Sequence, residues 1–317
     1  MPQGSVVAFD DPDRFAAAFR AANYELLGVP RGRFRAELTH VDLPRLWMQG
    51  NDRAGPSTVH SASLPRRIAI MFLADAEQAT PYRNGMPLSA DDLVIHRPGS
   101  NNHLRTPGPS RLVMMSLAPE DLAEAAQAIT GREATAPSST HLIRPPPRQL
   151  ARLRSLYGAA QELAKVAPRA FAHRGVGQSL EQQLIHAMVS CIAGQESDSS
   201  RTGGSHARVM NRFEEFLSAH SLEPVYLAEI CAAIGASERT LRTCCQEHLG
   251  MGPIRYLWLR RMNLAHHALR RADPARATVT DIATEHGFWE LGRFSVEYRA
   301  LFGESPSVSL RRPSESA

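Results

Sequence analysis

Two short stretches near the C-terminus carry polar side chains at a spacing suited to reading base-pair edges. Between Ser237 and Leu249, the residues Leu241, Cys244, Cys245 and Leu249 fall on one helical stripe. That leaves Arg239, Arg242, Thr243 and Gln246 on the opposite stripe. Arg242 and Gln246 are one turn apart, and a guanidinium fork pairs bidentately with guanine as a Gln amide does with adenine. Between Glu290 and Leu301, the same spacing points Phe294, Tyr298 and Leu301 inward and Gly292, Arg293, Val296 and Arg299 outward. Valine can meet a thymine methyl, or this second face contributes position more than sequence.

The remaining candidates for chemistry lie earlier in the chain. His40, His60, His96 and His103 could in principle converge, and three imidazoles suit zinc or iron. No His-x-His followed by Glu accompanies them, so they read as scattered structural or ligand-polarising groups; no metal and no cofactor is expected. Asp91-Asp92 reads as a turn. No Ser/His/Asp triad and no phosphate-binding glycine loop is visible, so no catalytic residue is assigned and the chain is not read as an enzyme. Arg33, Arg35, Arg66 and Arg67 stand at or beside strand starts. Strand alternation sends half of such residues to solvent, but one turned inward would demand an anionic or carbonyl partner. Arg33, Arg35, Arg67, His96 and His103 are therefore the candidate ligand-binding set, for a carboxylate-bearing effector.

Elements must position these groups. Toward the C-terminus a single device occurs twice. Leu227 to Ile234 is a short helix, Gly235-Ala236 a turn, and Ser237 the cap of the helix that follows. Val279 to His286 is a second short helix, Gly287-Phe288 its turn, and Glu290 to Leu301 the next helix. Two short helices around a glycine turn are a helix-turn-helix, whose second helix enters the major groove. Ile254 to Arg270 is a long helix between the copies. Upstream, a helix over Asp13 to Ala22 with Asp11 or Asp13 as its cap precedes short β-like runs. These are Phe34 to Val41, Arg67 to Leu73, Leu93 to His96 and Arg111 to Leu117, a pattern of a β-sandwich or small barrel. An effector would sit among the first three of these runs. Gly131 to Pro147 and Gly194 to Ser205 read as linkers. Between them, Leu150, Leu153, Leu156 and Tyr157, then Leu180, Leu184, Ile185, Met188 and Ile192, recur at helical spacing.

Composition sets the outer limits. A chain of 317 residues predicts two domains, and 43% hydrophobic with 21% charged residues excludes collagen and global disorder. The longest apolar stretches, such as Ile68 to Ala74, fall far short of a membrane span. Acidic Asp10, Asp11 and Asp13 stand where a secretory signal would be basic, and four cysteines without CxxC spacing suit a reducing cytoplasm. The net charge is +4, with Lys165 the only lysine. Residues 208–317 carry 14 Arg against 13 Asp plus Glu, so motif and face, not charge, carry the nucleic-acid reading.

These residues carry a resemblance. The last 110 or so residues resemble the DNA-binding domain of the AraC/XylS family through Ser237, Leu241, Gly250, Pro253, Tyr256, Leu257, Arg261 and Ala265. The resemblance continues through Ile282-Ala283, Gly287-Phe288, Arg293-Phe294-Ser295, Tyr298, Arg299, Phe302-Gly303 and Ser305-Pro306. It implies DNA contacts from Arg239, Arg242 and Thr243 in one groove and Gly292, Arg293 and Val296 in the next. Cys245 departs from the family's usual Phe and predicts a looser core there. Asp92 to Gly99 with His103, and Gly32-Arg33-Phe34, resemble the cupin-like sensor of the ethanolamine-regulator-like branch. The expected architecture is α+β. It comprises a cupin-like β-barrel or sandwich with helices (1–140), a helical dimerisation or linker segment (141–206), and an all-α domain with two helix-turn-helix subdomains (207–317). The implied function is a cytoplasmic, effector-controlled transcription activator acting as a homodimer on double-stranded DNA with RNA polymerase, with no membrane partner. The alternatives are a cupin metalloenzyme with an accessory DNA-binding domain and a regulator controlled by a protein partner.

Overall fold

Apolar runs without alternation mark strands covered on both faces. In the computed structural model, which describes residues 2–20, 22–27, 34–132, 134–193, 205–220 and 225–312, β6 (Ile68–Leu73) is such a strand, buried at all six positions. Ile68, Ile70 and Phe72 face a layer of helices, while Ala69, Met71 and Leu73 face a second sheet. Its sheet also contains β1 (Gln3–Phe9), β3 (Ala36–Asp42), β4 (Trp47–Arg53), β9 (Leu93–His96), β11 (Ser110–Leu117) and β12 (His141–Ile143), in the order β1-β3-β4-β11-β6-β9-β12. The facing sheet runs β2-β5-β10-β7-β8, built from β2 (Ala22–Leu27), β5 (Ser57–Ser63), β7 (Tyr82–Arg83), β8 (Met86–Pro87) and β10 (Asn101–Thr106). Both sheets are open among the described residues. The architecture is a sandwich, and the barrel alternative is set aside.

The first helix is shorter than its sequence signal. α1 spans Pro12–Ala18, capped by Asp11, whose carboxylate accepts from the amides of Asp13 at 2.9 Å and Arg14 at 3.3 Å. The helix stops at Phe19, whose backbone is extended, and Ala22, the last residue of the expected helix, opens β2 instead. A helix absent from the sequence reading, α2 (Pro119–Thr130), follows β11. The proline-rich break is partly structure, since His141–Ile143 pairs with β9 as an edge strand. The second break lies almost wholly outside the described residues.

α3 (Pro147–Val166) and α4 (Arg174–Ile192) form the two helices the periodicity predicts. Their apolar faces do not stand free for a partner chain. Leu150, Leu153, Tyr157, Leu184, Ile185 and Met188 are all buried in one core with β6, β9 and β11. Residues 147–192 are thus the outer helical layer of the sandwich domain. Close approach of this layer is permitted by Gly50 on β4, where a Cβ would lie 2.0 Å from the Tyr157 hydroxyl.

The C-terminal domain is helical throughout: α5 (Ser205–Ala219), α6 (Leu227–Ile234), α7 (Glu238–Leu249), α8 (Pro253–Arg271), α9 (Val279–Glu285), α10 (Leu291–Phe302) and α11 (Pro306–Arg311). It has two small cores, and α8 serves both. Tyr256 and Leu257 belong to the first core, Leu259, Met262, Ala265 and Leu269 to the second. At 19 residues α8 is a rod of roughly 28 Å that fixes the two halves relative to each other.

Candidate nucleic-acid interface

Each recognition helix begins where its sequence says. Ser237 caps α7 by accepting from the Thr240 amide at 3.1 Å. The turn before it needs Gly235, which takes φ +63°, a left-handed conformation costly for residues with a Cβ. In the second copy Thr278 and Asp281 form a reciprocal capping box for α9, and Gly287 makes the turn at φ +76°.

The stripes fall as the spacing predicts. On α7, Leu241, Cys244, Cys245 and Leu249 are buried, whereas Arg239, Arg242, Thr243 and Gln246 are exposed. Cys245 is fully buried, and its thiol lies 3.9 Å from the sulfur of Met210. Thr243 donates its hydroxyl back to the Arg239 carbonyl at 3.1 Å, so its methyl group is the part presented outward. On α10, Gly292, Arg293, Val296 and Arg299 are exposed over a buried face of Phe294, Tyr298, Leu301 and Phe302.

The two faces differ in charge. Among the described residues no carboxylate pairs with Arg239 or Arg242. Arg293 instead donates to Glu297 at 2.9 Å and has Glu290 at 3.8 Å, and Glu297 also accepts from Trp258 at 3.0 Å. The hydrogen bond from Arg293 holds the Glu297 carboxyl below its usual range. The cations of the α7 face thus stand without a carboxylate partner among the described residues, while the α10 face is partly neutralised. Trp289, 74% exposed immediately before α10, was not singled out in sequence, since nothing distinguishes it there from its buried neighbour Phe288.

A helix-turn-helix domain model matches residues 230–312. A probable thc operon regulatory protein of Rhodococcus erythropolis is 43% identical over 97 residues, 31% of this chain and 29% of that protein. The activator RhaS of Escherichia fergusonii is 32% identical over 161 residues, 50% of this chain and 51% of that protein. A crystal structure of a probable AraC family transcriptional regulator from Rhodopseudomonas palustris is 33% identical to this chain. It is matched over 33% of this chain and 95% of that one, with a TM-score of 0.30. The C-terminal helices thus form a helix-turn-helix domain similar to that of AraC/XylS-type transcription regulators. In both curated relatives the match spans no more than about half of their own length.

The candidate ligand set is dispersed in the structure. Arg33 lies outside the described residues. Arg66 is exposed, and Arg67 stacks over Trp47 at 3.9 Å while donating to the Arg45 carbonyl at 3.0 Å and the Ser116 hydroxyl at 3.1 Å. His96 lies between the sheets, where the cavity it shares with His103 measures only about 20 Å³. The sandwich interior is filled by side chains. Arg35 lines a different space, a cleft of about 590 Å³ between the second sheet and the α7–α8 corner, together with Arg53, Arg105 and Arg255.

The histidines separate too. His40 sits against Gln49 on the first sheet. His60 and His103, paired across β5 and β10 with ring centroids 5.1 Å apart, face the helical domain and meet Glu214 of α5. In the sequence, Glu214 is one acid among the 13 of residues 208–317, with nothing local to single it out. The two domains also meet through Asn263, which donates to Glu25 at 3.1 Å, and through His266 with Asp13 at 2.7 Å.

Proposed function

We propose that the protein is a one-component transcription activator that binds double-stranded DNA through α7 and α10 and responds to a small anionic effector. The observation that carries it is the pair of exposed recognition faces on one domain, locked together by α8. Arg239, Arg242 and Gln246 read bases in one major groove segment. Gly292, Arg293, Val296 and Arg299, with Trp289 beside them, fit the backbone and one or two bases of the next. Thr243 offers a methyl for thymine. Among the described residues no helix is long and apolar enough to cross a membrane.

The effector site is the interdomain cleft. Arg53 and Arg105 each present a buried N–H without a hydrogen-bond partner, and both line it beside Leu27, Phe34 and Leu259. Buried guanidinium donors with apolar walls suit a carboxylate on an apolar body. A ligand there touches both domains, so it can favour one arrangement over another, which is what control of DNA affinity requires. Homodimerisation and contact with RNA polymerase complete the reading, and a dimer through α3 and α4 would use their outward, polar faces. Selection of bound duplexes from a random pool tests the proposal directly. A consensus with two segments about one helical turn apart is expected; binding without any consensus would reject sequence-specific regulation.

A further inference from the structure

The junction between the sandwich and the helical domain contains a histidine pair and a carboxylate, two of whose buried atoms, His60 Nε2 and Glu214 Oε2, make no hydrogen bond. His103 Nε2 lies 3.1 Å from Glu214 Oε1, and His60 Nε2 lies 3.6 Å from Glu214 Oε2. One atom from each residue fits within a span of 4.8 Å. Glu214 is 1% exposed, yet its Oε2 makes no hydrogen bond, and neither does the buried Nε2 of His60 facing it. A buried carboxylate oxygen and a buried imidazole nitrogen aimed at each other just beyond bonding distance are costly unless something sits between them. A zinc-class cation bonds such atoms at 2.0–2.2 Å, which places neighbouring ligands of a tetrahedral ion about 3.3 Å apart. The observed separations bracket that value.

We propose that His60, His103 and Glu214 form a divalent-cation site, for zinc or an ion of its class, that clasps the sandwich to the DNA-binding domain. Two imidazoles and one carboxylate are a ligand set that borderline metals accept, and three protein ligands leave a position for water or another small donor. The surrounding groups support it. Glu25 stands 3.9 Å from His60 Nδ1, on the side of the ring away from Glu214, where its charge favours a ligating imidazole and a small shift would let it accept the Nδ1 proton, and Glu25 is itself held by Asn263. Tyr256 donates to Glu214 Oε1 at 2.8 Å, fixing the carboxylate. Arg260, 3.7 Å from Glu214 Oε2, is the opposing charge. With Glu25 and Glu214 ionised, Arg260 leaves the pocket one negative charge that a dication more than neutralises.

The ligands come from two domains, so the ion ties β5 and β10 to α5, which packs directly against the recognition helix α7. Metal occupancy then biases the placement of the first recognition face; this regulatory step, unlike the site itself, rests on the DNA-binding reading.

The test uses the full chain, stripped with a chelator and titrated with Zn²⁺ alone, with Co²⁺ as the spectroscopic probe. One ion per chain is expected, with X-ray absorption showing nitrogen and oxygen ligands and outer-shell scattering from two imidazoles. His60→Ala, His103→Ala and Glu214→Gln should each lose that site, and Glu25→Gln should weaken it by about 10–100-fold. His206→Ala, which removes the exposed His206–Glu247 pair, should leave it intact. Absence of a stoichiometric ion, absence of imidazole scattering in the unsubstituted protein, or full retention in His103→Ala and Glu214→Gln would each overturn the site. Affinity for a selected duplex should change by about 5–150-fold between zinc-loaded and stripped protein. Zinc bound without any such change overturns the regulatory step, whereas failure to select a duplex at all is a failure of the DNA-binding reading.

Discussion

Arg242 is the residue whose role follows most directly from its surroundings: exposed, with no carboxylate partner among the described residues, and on the α7 stripe opposite the core. Arg242→Ala should weaken specific DNA binding by about 1–3 kcal/mol and relax preference at one base position, leaving non-specific binding little changed. Repeating the duplex selection with the variant checks this; an unchanged consensus would reassign the residue to a phosphate. His96 presents a different case. Burial between the sheets, with Arg83 beside it, pushes its pKa down to about 3. The unfolded chain takes up that proton near pH 6.5, so between the two values the unfolded state binds more protons than the folded one. Stability therefore falls as pH drops below about 6.5, by about 2 kcal/mol at pH 5 from this residue alone. Urea melts at pH 7 and pH 5 should show that loss in the natural protein and a smaller one in His96→Gln. An equal loss in both would show that His96 is not the group responsible. The low pKa was not legible in the chain, because strand ends carry exposed and buried histidines alike.

At the scale of elements, the helix-turn-helix pairs were legible almost to the residue, since their caps, glycine turns and apolar spacing are local. α6, α7 and α8 begin and end within a residue or two of their sequence bounds. The sandwich was legible only in its most apolar strands. β5 and β10 are strands because they pair with each other and with their neighbours; Ser57–Ser63 and Asn101–Thr106 are too polar to announce it. The apolar faces of α3 and α4 were legible, but not what covers them. Gly50→Ala probes that cover. The added methyl meets the Tyr157 ring and hydroxyl, so α3 must lift from the sheet or β4 must shift, at a cost of about 1–3 kcal/mol. Chemical denaturation should report that loss. A variant as stable as the natural chain would mean that α3 seats more loosely than its burial indicates.

For the whole molecule, the domain junction governs. Its cleft predicts that small carboxylates with apolar bodies stabilise the full chain, by about 2.7 kcal/mol at 100 times their dissociation constant, and that matched neutral amides do not. Thermal shift compares the two sets, and equal stabilisation by both would remove the arginines from the argument. Arg53 and Arg105 reach this cleft from separate strands, and Arg255 from α8, so no sequence window contains the site. Arg67 has the same chemistry but spends its donors on Ser116 and the Arg45 carbonyl. The same holds for Glu214, which sits 111 residues beyond His103 in sequence and 3.1 Å from it in space. What the sequence by itself determined is whatever depends on neighbours within about one helical turn: the two recognition helices, their caps, the stripe each presents, and hence the resemblance of the C-terminal domain to known regulators. Tertiary structure alone decided which surfaces face each other. It filled the sandwich interior, placed the cleft between domains, and brought two histidines to a buried carboxylate. Those outcomes depend on contacts between distant segments, whose energies are set by the packing of both partners and leave no periodic trace in either.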